Sequence, residues 1–488
     1  MAQSLSVREK SGGYKTIVYV ICSVAALGGL LFGLDQGFIA NSLETIQRHY
    51  HLGIQDAEYY SSILAYGGIA GALLSGIFAR FLGRKKSLLF AGFIFTAASA
   101  LSALLPPLPV LSASRFALGF AVGIASFVVP LFLSETAPAA IRGSMGTLFQ
   151  LMITIGIFLI SLTNVLIARA FASSATSLPL MFLTITAFAA LMFLGGFILP
   201  ESPRWLMLKG RKEQAIVVLR RTLNTEQEIA LEIAEIEQAL HGPQGSGIGI
   251  VTRGYFFKVL LVGVFLQVFQ QLVGINMMIY YSPTIFGYAG MKGLLAAMTV
   301  PTVNMIFTFP AIRLVEKWGR KKLLYVGAVT MLITMISAGV AFQTIGSVSD
   351  AASIGSTPKA VLLVSTILYI FGFAVSWGPV VWLVCSEIFP LEGREIGMTI
   401  TTMVNWTFAG LVMANALSFM QAHGNASIFY VFAGFCVAAI AFVALFVPET
   451  KGITLEEMEF NLKNGVRLRD LGNRKIGDVT LHANSSPR

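Results

Sequence analysis

An all-α polytopic membrane protein with twelve spans is the fold class this sequence predicts, and three observations predict it. The 488 residues are 56% hydrophobic and only 12% charged, whereas soluble proteins carry about 25% charged residues. Apolar runs of about 20 residues recur from end to end, each long enough to cross roughly 30 Å of hydrocarbon. They are continuous, not the alternating segments of about ten residues that a β-barrel needs. The basic residues are also sorted by side. Arg48, Arg169, Lys292 and Lys359 fall on one side and Arg115 lies deep inside a span, while the other Lys and Arg gather at the N-terminus, at or beside the even-numbered connections, and in the tail. That is the positive-inside pattern of a chain with both termini in the cytoplasm. The formal charge of +10 therefore reports topology and implies no nucleic-acid partner.

The spans fall at 16–40, 57–79, 87–105, 108–133, 143–168, 178–199, 254–286, 293–316, 322–345, 360–387, 395–420 and 427–447. Span one follows Arg8, Lys10 and Lys15 and carries GGLLFGLDQGFIA (28–40), with a carboxylate at Asp35. Span two is glycine-rich (GGIAGALLSG, 67–76), which lets helices approach closely. GRKK at 83–86 opens span three, Arg115 lies in span four and Gln150 in span five. Span six ends at PESPRWL (200–206), where two prolines cannot continue a helix. Residues 211–240 then read as one or more amphipathic helices in the cytoplasm, followed by a flexible HGPQGSGIG (241–249). Span seven contains QQLVGINMMIYYSP (270–283), and its Gly274 and Pro283 predict a broken helix. Asn304 lies in span eight, GRKK at 319–322 opens span nine, Trp377 and Trp382 lie in span ten and Asn405 in span eleven. Span twelve runs into PETKGIT (448–454) and a polar tail. Cys22, Cys385 and Cys436 sit in or beside apolar spans, so no disulfide framework or metal spacing is visible.

The chain echoes itself. RFLGRKKSL (80–88) returns as EKWGRKKLL (316–324), SETAPAAIRG (134–143) as SEIFPLEGRE (386–395), and PESPRWL as PETKGIT. Each pair lies about half the chain apart, the plan of two parallel six-helix bundles. The expected units are a first bundle over 1–199, a linker over 200–252, a second bundle over 253–450 and a tail over 451–488.

An aspartate at mid-bilayer costs roughly 2.5–3.5 kcal/mol even on lenient insertion scales. Away from the span ends, Asp35 reads as the only carboxylate and Arg115 as the only strong base. Span one runs outward and span four inward, so at 1.5 Å per residue the two reach nearly the same depth. They read as an ion pair facing the bundle interior. One reading of the pair is a static bridge. The other is a proton site, in which moving Arg115 away lets the acid take up a proton.

The motifs GRKK after spans two and eight, PESPRWL, QQLVGINMMIYYSP and WGPVVWLVCSEIFPLEGRE (377–395) resemble the sugar porter family of the major facilitator superfamily. The resemblance covers nearly the whole chain. It implies a major facilitator fold of two six-helix bundles that rock around one central site, in a plasma or bacterial inner membrane, working as a single chain. It also implies a monosaccharide substrate, hexose or pentose, with a proton as the coupling ion, no other cofactor and no enzymatic activity. Proton-coupled members place an acid where Asp35 stands and an arginine in span four. Some hold a second carboxylate in span six, and residues 178–199 contain none. A passive uniporter of the same fold and a sugar sensor are the rival readings.

Sugar hydroxyls both donate and accept, as neutral amide side chains do, and aromatic rings pack on the C–H faces. By resemblance the site falls to Gln150, Gln270, Gln271, Asn276, Asn304, Trp382 and Asn405. Phe32, Tyr280 and Tyr281 border it, the tyrosines near an outer gate. Trp377 reads as packing. At the cytoplasmic ends, Arg84, Glu135, Arg142 and Glu201 in the first half and Arg320, Glu387, Arg394 and Glu449 in the second read as a salt-bridge latch that favours the outward-facing state.

Overall fold

A computed structural model describes residues 15–137, 141–171, 173–241, 247–291, 293–346, 355–390, 392–453 and 455–472. Among these residues, twelve helical spans are long and apolar enough to cross a membrane. The first bundle is built of α1 (Thr16–Tyr50), α2 (Ile54–Phe81), α3 (Arg84–Ala103), α4 (Leu108–Thr136), α5 (Arg142–Ala170) and α6 (Ser174–Gly196). Three short helices follow: α7 (Pro203–Leu208), α8 (Lys212–Thr222) and α9 (Glu226–His241). The second bundle comprises a seventh span split into α10 (Gly254–Leu272) and α11 (Ile275–Tyr288), then α12 (Leu294–Trp318) and α13 (Arg320–Gly346). Its tenth span joins α14 (Ser356–Gly372) to α15 (Gly378–Ile388), and α16 (Arg394–His423) and α17 (Ser427–Phe446) complete it. A tail helix, α18 (Leu455–Lys463), comes last.

The repeat seen in the sequence is a repeat in packing. In the first bundle α1 packs on α5, α2 on α4 and α3 on α6. In the second, α10 packs on α16, α12 on α14 and α13 on α17, the same three partnerships. The bundles meet along α2 with α16 and along α5 with α12, while α11 lies against α1. The glycines of span two explain one of these contacts. A Cβ on Gly67 or Gly71 would stand 2.1 Å from the Phe116 or Phe120 carbonyl oxygen, so only glycine lets α2 lie this close to α4.

Two spans are broken, and one break was expected. Gly274 takes φ +99°, a left-handed conformation that separates α10 from α11. The break leaves the Val273 carbonyl to the Tyr369 hydroxyl, at 2.9 Å. Pro283, expected to share in the break, lies within continuous α11. The tenth span holds an unanticipated π-turn at Phe373–Trp377. Gly378 and Pro379 follow it; proline lacks the N–H that would continue the ladder, and the wider turn absorbs its ring.

Other differences are at the edges. α1 continues ten residues past the expected end of span one, because Asn41–Tyr50 remain helical until His51 turns left-handed. The stretch read as a flexible linker lies partly outside the described residues, and its end, Gly247–Thr252, is a 3-10 turn. In the tail, Lys463 of α18 bridges Glu392 at 3.3 Å, and Glu392 also accepts from Arg253 and Tyr255. Together these bonds hold the Glu392 carboxyl below the usual carboxylate range, although burial alone pushes it up. Below, the end of the molecule that carries Arg84 and Arg320 is called the basic face and the opposite end the far face.

Candidate functional site

Asp35 on α1 and Arg115 on α4 form the pair that their matched depth predicts. Arg115 donates Nη1 to Oδ1 at 3.0 Å and Nη2 to Oδ2 at 3.2 Å, a two-pronged contact. Its Nε donates to the Tyr60 carbonyl at 3.0 Å, and its guanidinium lies 5.1 Å from the Tyr60 ring centre. Asp35 is 0% and Arg115 1% exposed. Neither lipid nor water reaches the pair in this conformation. A buried pair of this kind holds while both partners are charged, and removal of either charge strands the other.

The amide residues assemble around the break in the seventh span. Asn276, one residue into α11, donates Nδ2 to Gln271 Oε1 at 2.6 Å, across the turn that Gly274 creates. Its Oδ1 accepts from Gln36 Nε2 at 3.3 Å. Gln36 follows Asp35 in the chain, so a single residue joins the ion pair of the first bundle to the amides of the second. The Tyr280 phenol is buried within electrostatic reach of both Asp35 and Arg115, on the same line of contact. Gln36 was not expected at the site, and its place beside Asp35 in LDQG was the only available signal.

A second cluster lies one turn deeper. Asn405 Nδ2 donates to both Gln267 Oε1 and Gln270 Oε1 at 2.6 Å. Gln270 Nε2 donates to the Trp377 and Gly378 carbonyls, at 2.9 and 3.2 Å, which the π-turn presents. Both donors of Asn405 and both donors of Gln270 are thus engaged within the protein. In this conformation they tie α10, α15 and α16 together. Gln267 was missed, although Gln267, Gln270 and Gln271 share one helical face at i, i+3 and i+4. Trp377 has the packing role expected of it: it is fully buried and its indole N–H donates to the Leu324 carbonyl at 2.9 Å.

The remaining candidates lie on other spans. Gln150 on α5 reaches the second bundle near Gly378. Asn304 on α12 is 1% exposed, and its Oδ1 has no hydrogen-bond partner among the described residues. An acceptor of that kind inside a membrane protein costs free energy unless a ligand or water meets it. Trp382 and Phe32 each keep 9% exposure. Phe32 packs on Trp406 across the bundles with ring centres 4.8 Å apart, and Trp406 was not foreseen. Tyr281 is 0% exposed and donates its hydroxyl to the Met413 carbonyl at 2.7 Å. A groove of about 810 Å³ opens elsewhere, at the far face beside Gln343, Gln421 and Tyr430, and none of the candidate residues lines it.

At the basic face the two halves repeat one device. Arg84 grips Glu135 through Nη2 (2.7 Å) and Nε (2.9 Å), and Arg320 grips Glu387 through Nη2 (2.7 Å) and Nε (3.2 Å). Glu201 accepts the backbone N–H of Arg84 at 2.8 Å, and Glu449 that of Arg320 at 2.8 Å. Each acid caps the N-terminus of a span, where the helix dipole favours negative charge. Burial pushes the Glu201 carboxyl up, while the N–H groups of Ser202, Lys85 and Arg84 pull it back. These bridges are within each half. Across the halves, Arg84 reaches Glu395 at 3.3 Å, a partner the sequence reading did not name. Arg394 donates to the Phe389 carbonyl at 3.4 Å, and the side chain of Arg142 lies outside the described residues.

One sequence reading is corrected here. Asp35 is not the only buried carboxylate of the spans. Glu58 on α2, the second residue of the expected span two, is 1% exposed, although IQDAEYY reads as the polar start of a helix, where acids are common.

Similarity to known proteins matches this architecture. Residues 21–462 match the family model described as "Sugar (and other) transporter". The chain is 38% identical over 469 residues to the galactose-proton symporter of Escherichia coli K12, covering 95% of this chain and 98% of the relative. It is 36% identical over 452 residues to the arabinose-proton symporter of the same strain, covering 92% and 94%. Among solved structures, the proton:xylose symporter XylE bound to 6-bromo-6-deoxy-D-glucose superposes with a TM-score of 0.80 at 33% identity, covering 91% of this chain and 98% of that one. The inward open conformation of XylE from E. coli superposes with 0.74 at 31% identity, covering 91% and 99%. By motif, fold and family match together, this chain belongs to the sugar transporter family and has the major facilitator fold.

Proposed function

We propose that this protein is a proton-coupled monosaccharide symporter that works by alternating access, with both termini and the basic face in the cytoplasm. The observation that carries the reading is the Asp35–Arg115 pair, buried and joined through Gln36 to an amide ring suited to hydroxyl ligands. The named relatives with proton-coupled galactose, arabinose and xylose transport support it. In the mechanism, Asp35 alternates between a carboxylate held by Arg115 and a neutral acid that no longer holds it. Sugar hydroxyls replace the protein's own bonds to Gln271 and Asn276 and meet Asn304 Oδ1, with Trp382 and Phe32 on the C–H faces. Because Asn276 also accepts from Gln36, occupation of the amide ring changes what Gln36 holds beside Asp35. Sugar and proton are thereby linked through one side chain.

The chain acts in a cell membrane as a single subunit, plasma or bacterial inner. The basic-face bridges act as the latch, since parting the halves on that side requires Arg84 to leave Glu395. Half-exposed pairs of this kind contribute about 1 kcal/mol or less, so the latch biases the cycle without blocking it. The test is uptake of labelled galactose, arabinose, xylose and glucose into proteoliposomes, with and without an acid-outside gradient. At least one sugar is expected to accumulate about tenfold per pH unit, the concentration ratio equivalent to about 1.4 kcal/mol. Equilibration of every sugar to equal concentrations regardless of the gradient would identify a uniporter instead.

A further inference from the structure

The far face is held shut by a carboxylate that the proton pair does not use. Glu58 stands near the start of α2, buried to 1%. Its Oε1 accepts the backbone N–H of Leu417 at 2.6 Å and of Ser418 at 3.0 Å, and its Oε2 accepts the Ser418 hydroxyl. α2 belongs to the first bundle and α16 to the second, so all three bonds cross the line along which the bundles must part. One turn earlier on α16, the Met413 carbonyl takes the Tyr281 hydroxyl, and Tyr281 lies close enough to Glu58 and Ser61 to feel both. The far ends of α2, α11 and α16 therefore share one polar knot.

Its strength can be ranked against the tie at the other end. Among the described residues, the crossing bond at the basic face is Arg84 to Glu395, where Glu395 is 47% exposed and Arg84 is already engaged with Glu135. The far-face bonds are charge-assisted, buried and made by a carboxylate whose three contacts are all on the opposite bundle. Charge-assisted hydrogen bonds out of water outlast exposed pairs, which water and salt screen.

We propose that Glu58 is the far-side gate residue, and that its release from the Leu417 and Ser418 N–H groups is required each time the carrier opens to that side. The far-closed population is then set by Glu58 and not by the basic-face bridges. This inference rests on the alternating-access reading above, but its test requires neither sugar nor proton movement. The same bonds also make Ser418 the positioning partner, since its hydroxyl fixes the second oxygen of the carboxylate.

The test places spin labels on cysteines introduced at Gln55 and Ala422, both exposed at the far face, in lipid nanodiscs; the three native cysteines are buried. Pulsed electron resonance then reads the distance between the far ends of α2 and α16. With Glu58 intact, one short distance is expected to dominate. Glu58→Ala should move weight to a longer distance, raising the long-to-short ratio about tenfold or more. Glu58→Gln, which keeps one acceptor, and Ser418→Ala should move it the same way by less. If Glu58→Ala does not yield folded protein, those two variants decide. An unchanged distance distribution in folded Glu58→Gln and Ser418→Ala, even with lowered thermal stability, would overturn the gate and leave Glu58 a static brace. A distance shift in a protein that moves no sugar would keep the gate and overturn the transport reading.

Discussion

In proteoliposomes, Asp35→Asn is expected to abolish sugar accumulation against a gradient and sugar-driven alkalinisation, while sugar-for-sugar exchange continues. Asparagine is nearly the same shape as aspartate and can still accept from Arg115, so the bundle keeps its packing, at a cost in stability from the Arg115 charge left without a counter-ion. It cannot gain or lose a proton, and the bond between Asn276 and Gln271 is untouched. The accumulation ratio should fall from about tenfold per pH unit to about one. Proton uptake by the variant at the original rate would remove Asp35 from the coupling reaction. The measurement is a pH electrode or entrapped dye recorded alongside labelled uptake.

The second large effect concerns folding. Arg115→Leu should destabilise the protein by about 3–5 kcal/mol, because it strands a buried carboxylate and frees the Tyr60 carbonyl. Thermal unfolding in detergent gives the number. Adding Asp35→Asn to Arg115→Leu removes the stranded charge and should recover part of the loss. Non-additivity of that kind distinguishes a coupled pair from two independent packing residues. A double variant as unstable as the sum of the singles would mean that Asp35 and Arg115 do not depend on one another.

Much of this architecture was legible in the chain because a bilayer leaves few options. Spans must be apolar and internally hydrogen-bonded, so their number and the two-bundle plan followed from composition and repeats. The matched depth of Asp35 and Arg115 followed from span direction and helix rise. Gly274 announced its break because a flexible residue stood in the middle of an amide-rich span. The π-turn before Gly378 gave no comparable sign, since its residues FAVSW are ordinary helix formers in lipid, and only Pro379 hints at it. Interactions across the bundles were the least visible. Gln36 with Asn276, Phe32 with Trp406 and Glu58 with Ser418 join residues 240 or more positions apart, and no local pattern encodes which face meets which. Glu58 shows the effect clearly. Read along the chain it is one more acid near a helix start; in three dimensions it is a buried ligand of the opposite bundle.

The amides carry a related lesson. The family resemblance marks Gln270 and Asn405 as hydroxyl-binding groups, yet here the donors of Gln270 go to the Trp377 and Gly378 carbonyls and those of Asn405 to Gln267 and Gln270. Residues that bind ligand in one conformation must have their bonds met in the other, or burial would be too costly.

Whether the Asp35 carboxyl itself takes up a proton as the carrier works can be observed without inference from flux. Infrared difference spectra of the reconstituted protein, recorded as sugar is added across a range of pH, report the carbonyl stretch of a protonated carboxylic acid. A sugar-dependent carboxylic band that disappears in Asp35→Asn is the predicted result. The same band persisting in Asp35→Asn, or no such band at any pH at which transport runs, would contradict it.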